Sequence, residues 1–153
     1  MKTNYLLPNK YKTLGWILFI IGIISGIFLY AFEYETDLLT TKVLSIYNND
    51  ILTKNSNGFF KILENSILDE IIAISIIVGG LIIVFSKEKI EDEFIYKLRT
   101  ESLIWAVIFN YVVLVFAILF IYGLTFFDVI VFNMFTPIIF FVFRFNFLKA
   151  KSK

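Results

Sequence analysis

Four long hydrophobic runs, with charged residues almost only between them, constrain this chain more than any other feature. The runs cover roughly residues 14–32, 67–85, 103–122 and 124–143. Each is close to the length of about 20 residues that a helix, rising 1.5 Å per residue, needs to cross a hydrocarbon core. The mean hydropathy of +0.82 also exceeds that of ordinary soluble domains. We therefore predict an all-α, polytopic fold, in which residues 1–153 form a single membrane domain with a bundle of four transmembrane helices in the lipid bilayer.

The composition excludes several kinds of chemistry. The chain contains no His and no Cys. This excludes zinc sites of the usual ligand set, histidine-ligated haem, thiol redox chemistry and Ser-His catalysis. We predict no catalytic residue, no metal and no cofactor, and hence a protein that is not an enzyme. The net charge of +1 gives no reason to expect nucleic acid as a partner.

Basic residues are divided unevenly between the two sides of the predicted spans. The side that collects the N-terminus, the connection 86–102 and the C-terminal tail carries eleven of them: Lys2, Lys10, Lys12, Lys87, Lys89, Lys97, Arg99, Arg144, Lys149, Lys151 and Lys153. The loop 33–66 on the other side carries three: Lys42, Lys54 and Lys61. Because Lys and Arg accumulate on the cytoplasmic side, we predict that both termini are cytoplasmic and that the loop is extracytoplasmic.

The loop 33–66 combines apolar and polar residues in a pattern typical of short amphipathic helices. Apolar residues recur at helical spacing in two groups: Leu39, Val43 and Ile46/Tyr47, then Phe59/Phe60, Leu63 and Ile67. Asn- and Gly-containing turns separate the groups. We predict two short helices lying on the outer membrane interface. They form either a packed connector, which we favour, or a lid that senses a ligand.

The connection 86–102 is the most polar segment and the predicted site of function. With Ser86 as a possible cap and no Gly or Pro between Ile90 and Tyr122, the third helix is expected to begin near Lys89 and to extend about two to three turns into the cytoplasm. Ile90, Phe94 and Leu98 would then form an apolar stripe on one face. The candidate partner-binding residues are Ile90, Glu91, Asp92, Glu93, Phe94, Leu98 and Arg99. The alternative is that this stripe rests on lipid or on the tail of the same chain.

A carboxylate cluster in the same connection raises the hypothesis of a metal site. It consists of Glu88, Glu91, Asp92 and Glu93, whose oxygen atoms suit Mg²⁺ or Ca²⁺. Basic residues interleave with these acids, and the glycine turn of an EF-hand is missing. The pattern therefore favours a solvated, charged helix end.

Polar residues within the predicted spans indicate helix packing. Asn110 and Asn133 lie near the middle of the third and fourth spans, which a short turn makes antiparallel neighbours. Pro137 frees the carbonyl of Asn133, because a proline has no N–H to donate to it. We predict that Asn110 donates to this carbonyl with help from Thr136 and so stabilises the helical hairpin, rather than serving an ion pathway.

Small residues indicate where helices approach closely. Gly22 and Gly26 have GxxxG spacing in the first span, and Gly79 and Gly80 are adjacent in the second. Such residues allow backbones to meet. We predict that the first helix packs on the second here, and an intermolecular dimer is the alternative.

Three stretches of the sequence carry a resemblance to a known group. They are residues 6–12 with Gly15-Trp16, residues 86–103, and Tyr122-Gly123 with residues 132–136 and 143–145. They resemble a group of small uncharacterised four-span bacterial membrane proteins, often encoded beside helix-turn-helix regulators. The resemblance implies the bacterial cytoplasmic (inner) membrane and an accessory or regulatory role, without an activity or cofactor.

These features of the sequence lead to three hypotheses for the function. The leading one is a non-enzymatic membrane accessory or regulatory protein that binds a protein partner, or a second copy, through its cytoplasmic face. The second is a homo-oligomeric small pore or carrier, which the shortage of ionisable residues within the spans disfavours. The third is a lipid-modifying enzyme, for which only the acidic residues 91–93 offer a poor candidate site.

Overall fold

The computed structural model describes residues 6–31, 40–48 and 58–152 of the chain. The elements are, in order, α1 (Lys10–Ala31), β1 (Thr40–Asn48), β2 (Gly58–Ser66), α2 (Leu68–Phe85), α3 (Glu93–Phe120) and α4 (Leu124–Lys151). All four helices are long and apolar enough to cross a membrane. The prediction of a mostly helical chain with four candidate membrane spans is therefore confirmed.

Two of the helices continue well past their apolar runs into charged sequence. α3 begins at Glu93, before its run, and α4 continues to Lys151, after its own. The predicted extension of the third helix thus exists, but its start near Lys89 is wrong. Asp92 is the N-cap, and its carboxylate accepts a hydrogen bond from the Ile95 N–H at 2.8 Å. Ser86 is not the cap of α3, and its hydroxyl donates to the Ile82 carbonyl within α2.

The two amphipathic helices predicted for the loop are wrong, because the described part of this loop is a β-hairpin. β1 and β2 pair antiparallel from Thr40 opposite Ser66 to Asn48 opposite Gly58. Val43 and Tyr47, like Phe59 and Leu63, are four residues apart, a spacing that fits a strand as well as a helix, whereas Val43 and Ile46 lie on opposite faces of β1. β-branched and aromatic residues are dense in both strands, and this favours extended structure. Leu39 and the predicted turn at residues 49–57 lie outside the described residues.

The chain falls into two compact units. One consists of Met1–Gly22 with Ser75–Lys153, and the other of Ile23–Ile74. The second unit contains the hairpin and the adjoining parts of α1 and α2. The first unit contains α3, α4, the remaining parts of α1 and α2, and the connection between α2 and α3.

Within the first unit, glycines allow α1 and α2 to meet backbone to backbone. A Cβ placed on Gly79 would lie 2.6 Å from the Phe19 amide nitrogen and 2.9 Å from the Gly15 carbonyl oxygen. A Cβ on Gly22 would lie 3.0 Å from the Ile76 amide nitrogen. The two distances at Gly79 are shorter than Cβ atoms show in proteins, and the one at Gly22 is tighter than nearly all Cβ contacts. Gly22 and Gly79 therefore serve the contact between α1 and α2 that the sequence predicted.

The other two glycines that the sequence marked for helix packing, Gly80 and Gly26, have different surroundings. A Cβ on Gly80 would collide with the side chain of Ile138 on α4 and would also lie 3.3 Å from the Phe19 ring on α1, so Gly80 serves contacts of α2 with both helices. Gly26 lies in the part of α1 that belongs to the second unit and is half-buried.

The two mid-helix asparagines meet, but with donor and acceptor reversed relative to the prediction. Asn133 Nδ2 on α4 donates to the backbone carbonyl of Asn110 on α3, at a long distance of 3.5 Å. Asn110 Oδ1 is buried without a hydrogen-bond partner among the described residues. Thr136 does not assist, since its hydroxyl donates to the Phe132 carbonyl one turn earlier in α4. Pro137 lies inside α4 as predicted from the sequence, but the bond across the helices comes from Asn133 itself.

Candidate functional site

Glu88 joins three separate parts of the chain at the charged end of the first unit. It lies in the connection between α2 and α3, and its side chain is only 9% exposed. One carboxylate oxygen accepts a hydrogen bond from Lys12 of α1, and the other accepts one from Lys149 of α4 at 2.9 Å. A single carboxylate therefore closes an ion-paired link between α1, the connection and α4.

The segment before α1 positions this connection through backbone contacts. The Leu7 N–H donates to the Phe85 carbonyl at 2.7 Å, and the Lys87 N–H donates to the Leu7 carbonyl at 2.9 Å. The Asn9 side chain adds a bond to the Lys87 carbonyl at 2.7 Å. These bonds fix the backbone of Lys87, the residue directly before Glu88. They therefore also restrict the position of the Glu88 carboxylate.

A second ion pair folds the connection onto the first turns of α3. The Arg99 guanidinium binds both carboxylate oxygens of Glu91, at 2.7 and 3.2 Å, and also donates to the Ser86 carbonyl at 3.1 Å. Glu91 in turn accepts from the Glu88 N–H at 2.8 Å. Arg99 is only 7% exposed. Such bidentate geometry is specific to arginine and sets the orientation of both side chains.

The charged side chains surround the ring of Phe145. The Nζ atoms of Lys12 and Lys149 lie 5.7 and 6.0 Å from its centroid, and the Arg99 guanidinium carbon lies at 5.7 Å. Phe145 is buried and stacks on Phe141, with ring centroids 5.5 Å apart. Cation–π attraction adds to the ion pairs at these distances. We call Lys12, Glu88, Glu91, Arg99 and Lys149 together the charge cluster.

Glu88 is held in its ionised form. Burial by itself would raise the pKa of its carboxyl, but the hydrogen bonds from Lys12 and Lys149, together with their positive charges, outweigh burial and bring the pKa below its ordinary value. A carboxylate with a lowered pKa is a poor proton donor. The arrangement therefore suits a structural link better than acid–base chemistry.

A cleft of about 630 Å³ opens beside the charge cluster. Its walls carry charges of both signs, from Lys12, Lys149, Glu88 and Asp92, and its apolar lining comes from Trp16, Ile90, Phe94 and Ile95. Ile90 is 77% exposed and Phe94 is 52% exposed. The cleft thus offers both apolar surface and ionic groups to a ligand.

The predicted apolar stripe does not exist as a stripe. Ile90 precedes α3, so it is not in helical register with Phe94, and Leu98 is buried at 7% exposure. Glu91 and Arg99 bind each other, while Asp92 caps the helix. Of the seven predicted partner-binding residues, Ile90, Phe94 and Glu93 remain exposed without a structural task that the described contacts reveal.

The sequence reasoning missed the residues that organise this end of the protein. Lys12 and Lys149 entered it as markers of topology, Glu88 as a possible metal ligand, and Phe145 as part of the resemblance, and none of them as a member of an ion-paired cluster. In the described part of the chain, no three His, Cys, Asp or Glu residues are grouped as a metal site. The sequence contains one weak indication of the cluster, because Glu88 is an acidic residue between two lysines at a predicted membrane boundary.

Comparison of the chain with protein-family models, with curated proteins and with solved structures finds no match in any of the three. The resemblance to four-span bacterial membrane proteins therefore stays a prediction. The functional interpretation depends on the geometry of the charge cluster and its cleft.

Proposed function

We propose that this chain is a non-enzymatic membrane accessory or regulatory protein that binds a protein partner in the cleft beside the charge cluster. The observation that carries the proposal is the exposure of Ile90 and Phe94 at this cleft, next to charged walls. Large apolar side chains exposed outside the apolar runs do not serve the lipid core. Apolar groups beside charges are typical of a surface for protein contact.

The charge cluster supports binding by fixing the walls of the cleft. Glu88 holds Lys12 and Lys149, which both line the cleft, and Asp92 is held by its role as the N-cap of α3. A site whose walls are already ordered loses less conformational entropy on binding. Walls with both signs of charge suit a partner segment that places an apolar side chain between charged ones.

The distribution of basic residues supports a cytoplasmic position for this cleft. The three segments that form it belong to the side that is rich in Lys and Arg. On this proposal both termini face the cytoplasm of a bacterium and the hairpin lies outside it. Reporters fused after residue 57 and after residue 153 should report opposite compartments, and the same compartment for both would refute this topology.

The two other functions lack a specific supporting observation in the described residues. A pore or carrier needs polar groups along a pathway, but Asn110 and Asn133 contact each other. A lipid-modifying enzyme would need a nucleophile or general acid, whereas the carboxylates of Glu88 and Glu91 are both bound to basic side chains.

The test is quantitative co-purification from the native host in mild detergent. Ile90→Ala with Phe94→Ala should remove a stoichiometric partner while leaving insertion, monodispersity and thermal stability unchanged. Val112→Ala with Phe116→Ala, which truncates two exposed side chains within the apolar part of α3, is the matched control and should retain the partner. Full retention by the cleft variant, or the lack of any stoichiometric partner of the unaltered protein, would refute the proposal.

A further inference from the structure

The β-hairpin has one face that no part of residues 6–31, 40–48 or 58–152 covers. Leu44 lies directly opposite Ile62, and alternation along the strand places Ile46 on the same face as Leu44. These side chains are 66%, 70% and 68% exposed, respectively. On the opposite face, the paired residues Val43 and Leu63 are half-buried.

Such a hairpin requires a further contact. The sheet has only two strands among the described residues. An isolated two-stranded hairpin is at best marginally stable in water, and it gains independent stability from additional strands or from packing on an apolar face. Three large aliphatic side chains on one face provide a surface for that packing.

The charges at the end of this face are self-complementary. Lys42 lies directly opposite Glu64, and both side chains are exposed. We define the outer face as Leu44, Ile46 and Ile62 with Lys42 and Glu64. If two outer faces meet about a two-fold axis parallel to the strands, β1 of one copy lies over β2 of the other. Each Lys42 then faces Glu64 of the other copy, and each Leu44 faces Ile62 of the other copy.

The same charges argue against lipid as the main occupant. Segments that lie on an anionic membrane surface are typically rich in Lys and Arg around their apolar face. The outer face has one positive and one negative residue, so it has no net charge to attract such a surface. Opposite charges in equal number fit a second copy of the same face.

We propose that the hairpins of two copies pack outer face to outer face in a two-fold dimer. The contact is small compared with the roughly 1,000 Å² that a specific interface usually exceeds. The dimer is therefore weak, and the confinement of both copies to one bilayer supports it by raising their effective concentration. This proposal is independent of the partner-binding cleft.

Charge reversal in two differently tagged copies tests the pairing. Lys42→Glu alone and Glu64→Lys alone each place like charges across the two-fold axis, so each variant should pull down several-fold less of its own second copy from lipid nanodiscs or native membranes. When one copy carries Lys42→Glu and the other carries Glu64→Lys, opposite charges meet again at both positions. Co-expression of the two variants should restore pull-down to the level of the unaltered protein.

This design separates contacts between copies from contacts within one chain. Each single variant also loses the Lys42–Glu64 pairing within its own hairpin, and mixing cannot restore that pairing. A dimer that neither variant weakens, or that the mixture does not restore, overturns the proposal.

Cross-linking tests the geometry, and the chain helps because it has no native cysteine. Facing sheets lie about 10 Å apart, so a bifunctional thiol reagent of about 8–10 Å should join Leu44→Cys in one copy to Ile62→Cys in the other. Val112→Cys, exposed in the apolar part of α3, is the control and should cross-link far less. Equal cross-linking of Val112→Cys would mean that the cross-links come from crowding of copies in the membrane and not from the proposed contact.

Accessibility identifies any other occupant. If the hairpin cysteines form no cross-link and stay protected from a membrane-impermeant thiol reagent in monomeric protein, lipid covers the outer face and the proposal is wrong. It is equally wrong if they form no cross-link and react freely, because the face is then uncovered.

Discussion

The Glu88 carboxylate lies 2.9 Å from the ammonium group of Lys149, a residue 61 positions later in the chain. Its second oxygen is bound to Lys12, which lies 76 positions earlier. Breaking a buried ion pair by removing one partner is costly because the other charges stay buried without compensation. Since Glu88 serves two lysines at once, it is the residue on which this end of the protein depends most.

Glu88→Gln should therefore destabilise the protein by roughly 2–4 kcal/mol, because it leaves two lysine charges without their carboxylate. Thermal unfolding in detergent measures the effect. Glu101→Gln is the matched control, since Glu101 pairs with Lys97 at 3.9 Å with both side chains well exposed. Exposed pairs of this kind contribute about 0–1 kcal/mol. Equal losses in the two variants would show that the charge cluster does not stabilise the fold.

The free energy of unfolding should decrease at acidic pH because Glu88 becomes protonated. The pKa of Glu88 lies below its ordinary value of 4.5 in the folded protein, because the lysine contacts outweigh burial. The unfolded chain therefore takes up the proton first as the pH decreases, and protonation favours unfolding. The stabilisation from Glu88 is fully present above pH 4.5 and is lost as the pH falls through the folded pKa.

Unfolding temperatures measured from pH 7 down to pH 3 test this dependence. The difference between the unaltered protein and Glu88→Gln should be largest near neutral pH and should shrink below pH 4.5. A difference that stays constant over the whole range would mean that Glu88 does not change its protonation there.

Arg99→Lys should weaken the connection even though it keeps the positive charge. A lysine cannot reproduce the two parallel bonds to Glu91 together with the bond to the Ser86 carbonyl. We expect a loss of about 1–3 kcal/mol in the free energy of unfolding, and faster proteolysis within residues 86–92. Lys97→Arg, on an exposed side chain of α3, is the control and should have no effect. An unchanged unfolding temperature and proteolysis rate in Arg99→Lys would contradict the role of the bidentate pair.

The sequence predicted the helices well because hydropathy over about 20 residues reflects a requirement of the bilayer itself. It did not predict the hairpin, because the four-residue spacing of Phe59 and Leu63 fits helical and strand periods alike, and only pairing of β1 with β2 decides between them. The charge cluster could not be predicted from local sequence patterns for a similar reason. Lys12, Glu88 and Lys149 lie in three distant segments, and periodicity along one segment carries no information about contacts between segments.

Asn133→Leu and Asn110→Leu should have unequal effects on the packing of α3 on α4. Asn133 supplies the donor across the helices, so its replacement should cost about 0.5–1 kcal/mol, which is typical of hydrogen bonds in membranes. Asn110 accepts through its backbone carbonyl, which a leucine retains, and its side-chain oxygen is buried without a partner in the part of the chain that the structure describes. Asn110→Leu should therefore be neutral or stabilising. Equilibrium unfolding of both variants in mixed micelles measures the difference, with Ile108→Leu as a control on an exposed face of α3. If Asn110→Leu were the more destabilising variant, the side chain of Asn110 would have to be the donor, and the direction of the bond between these helices would be the reverse of the one described above.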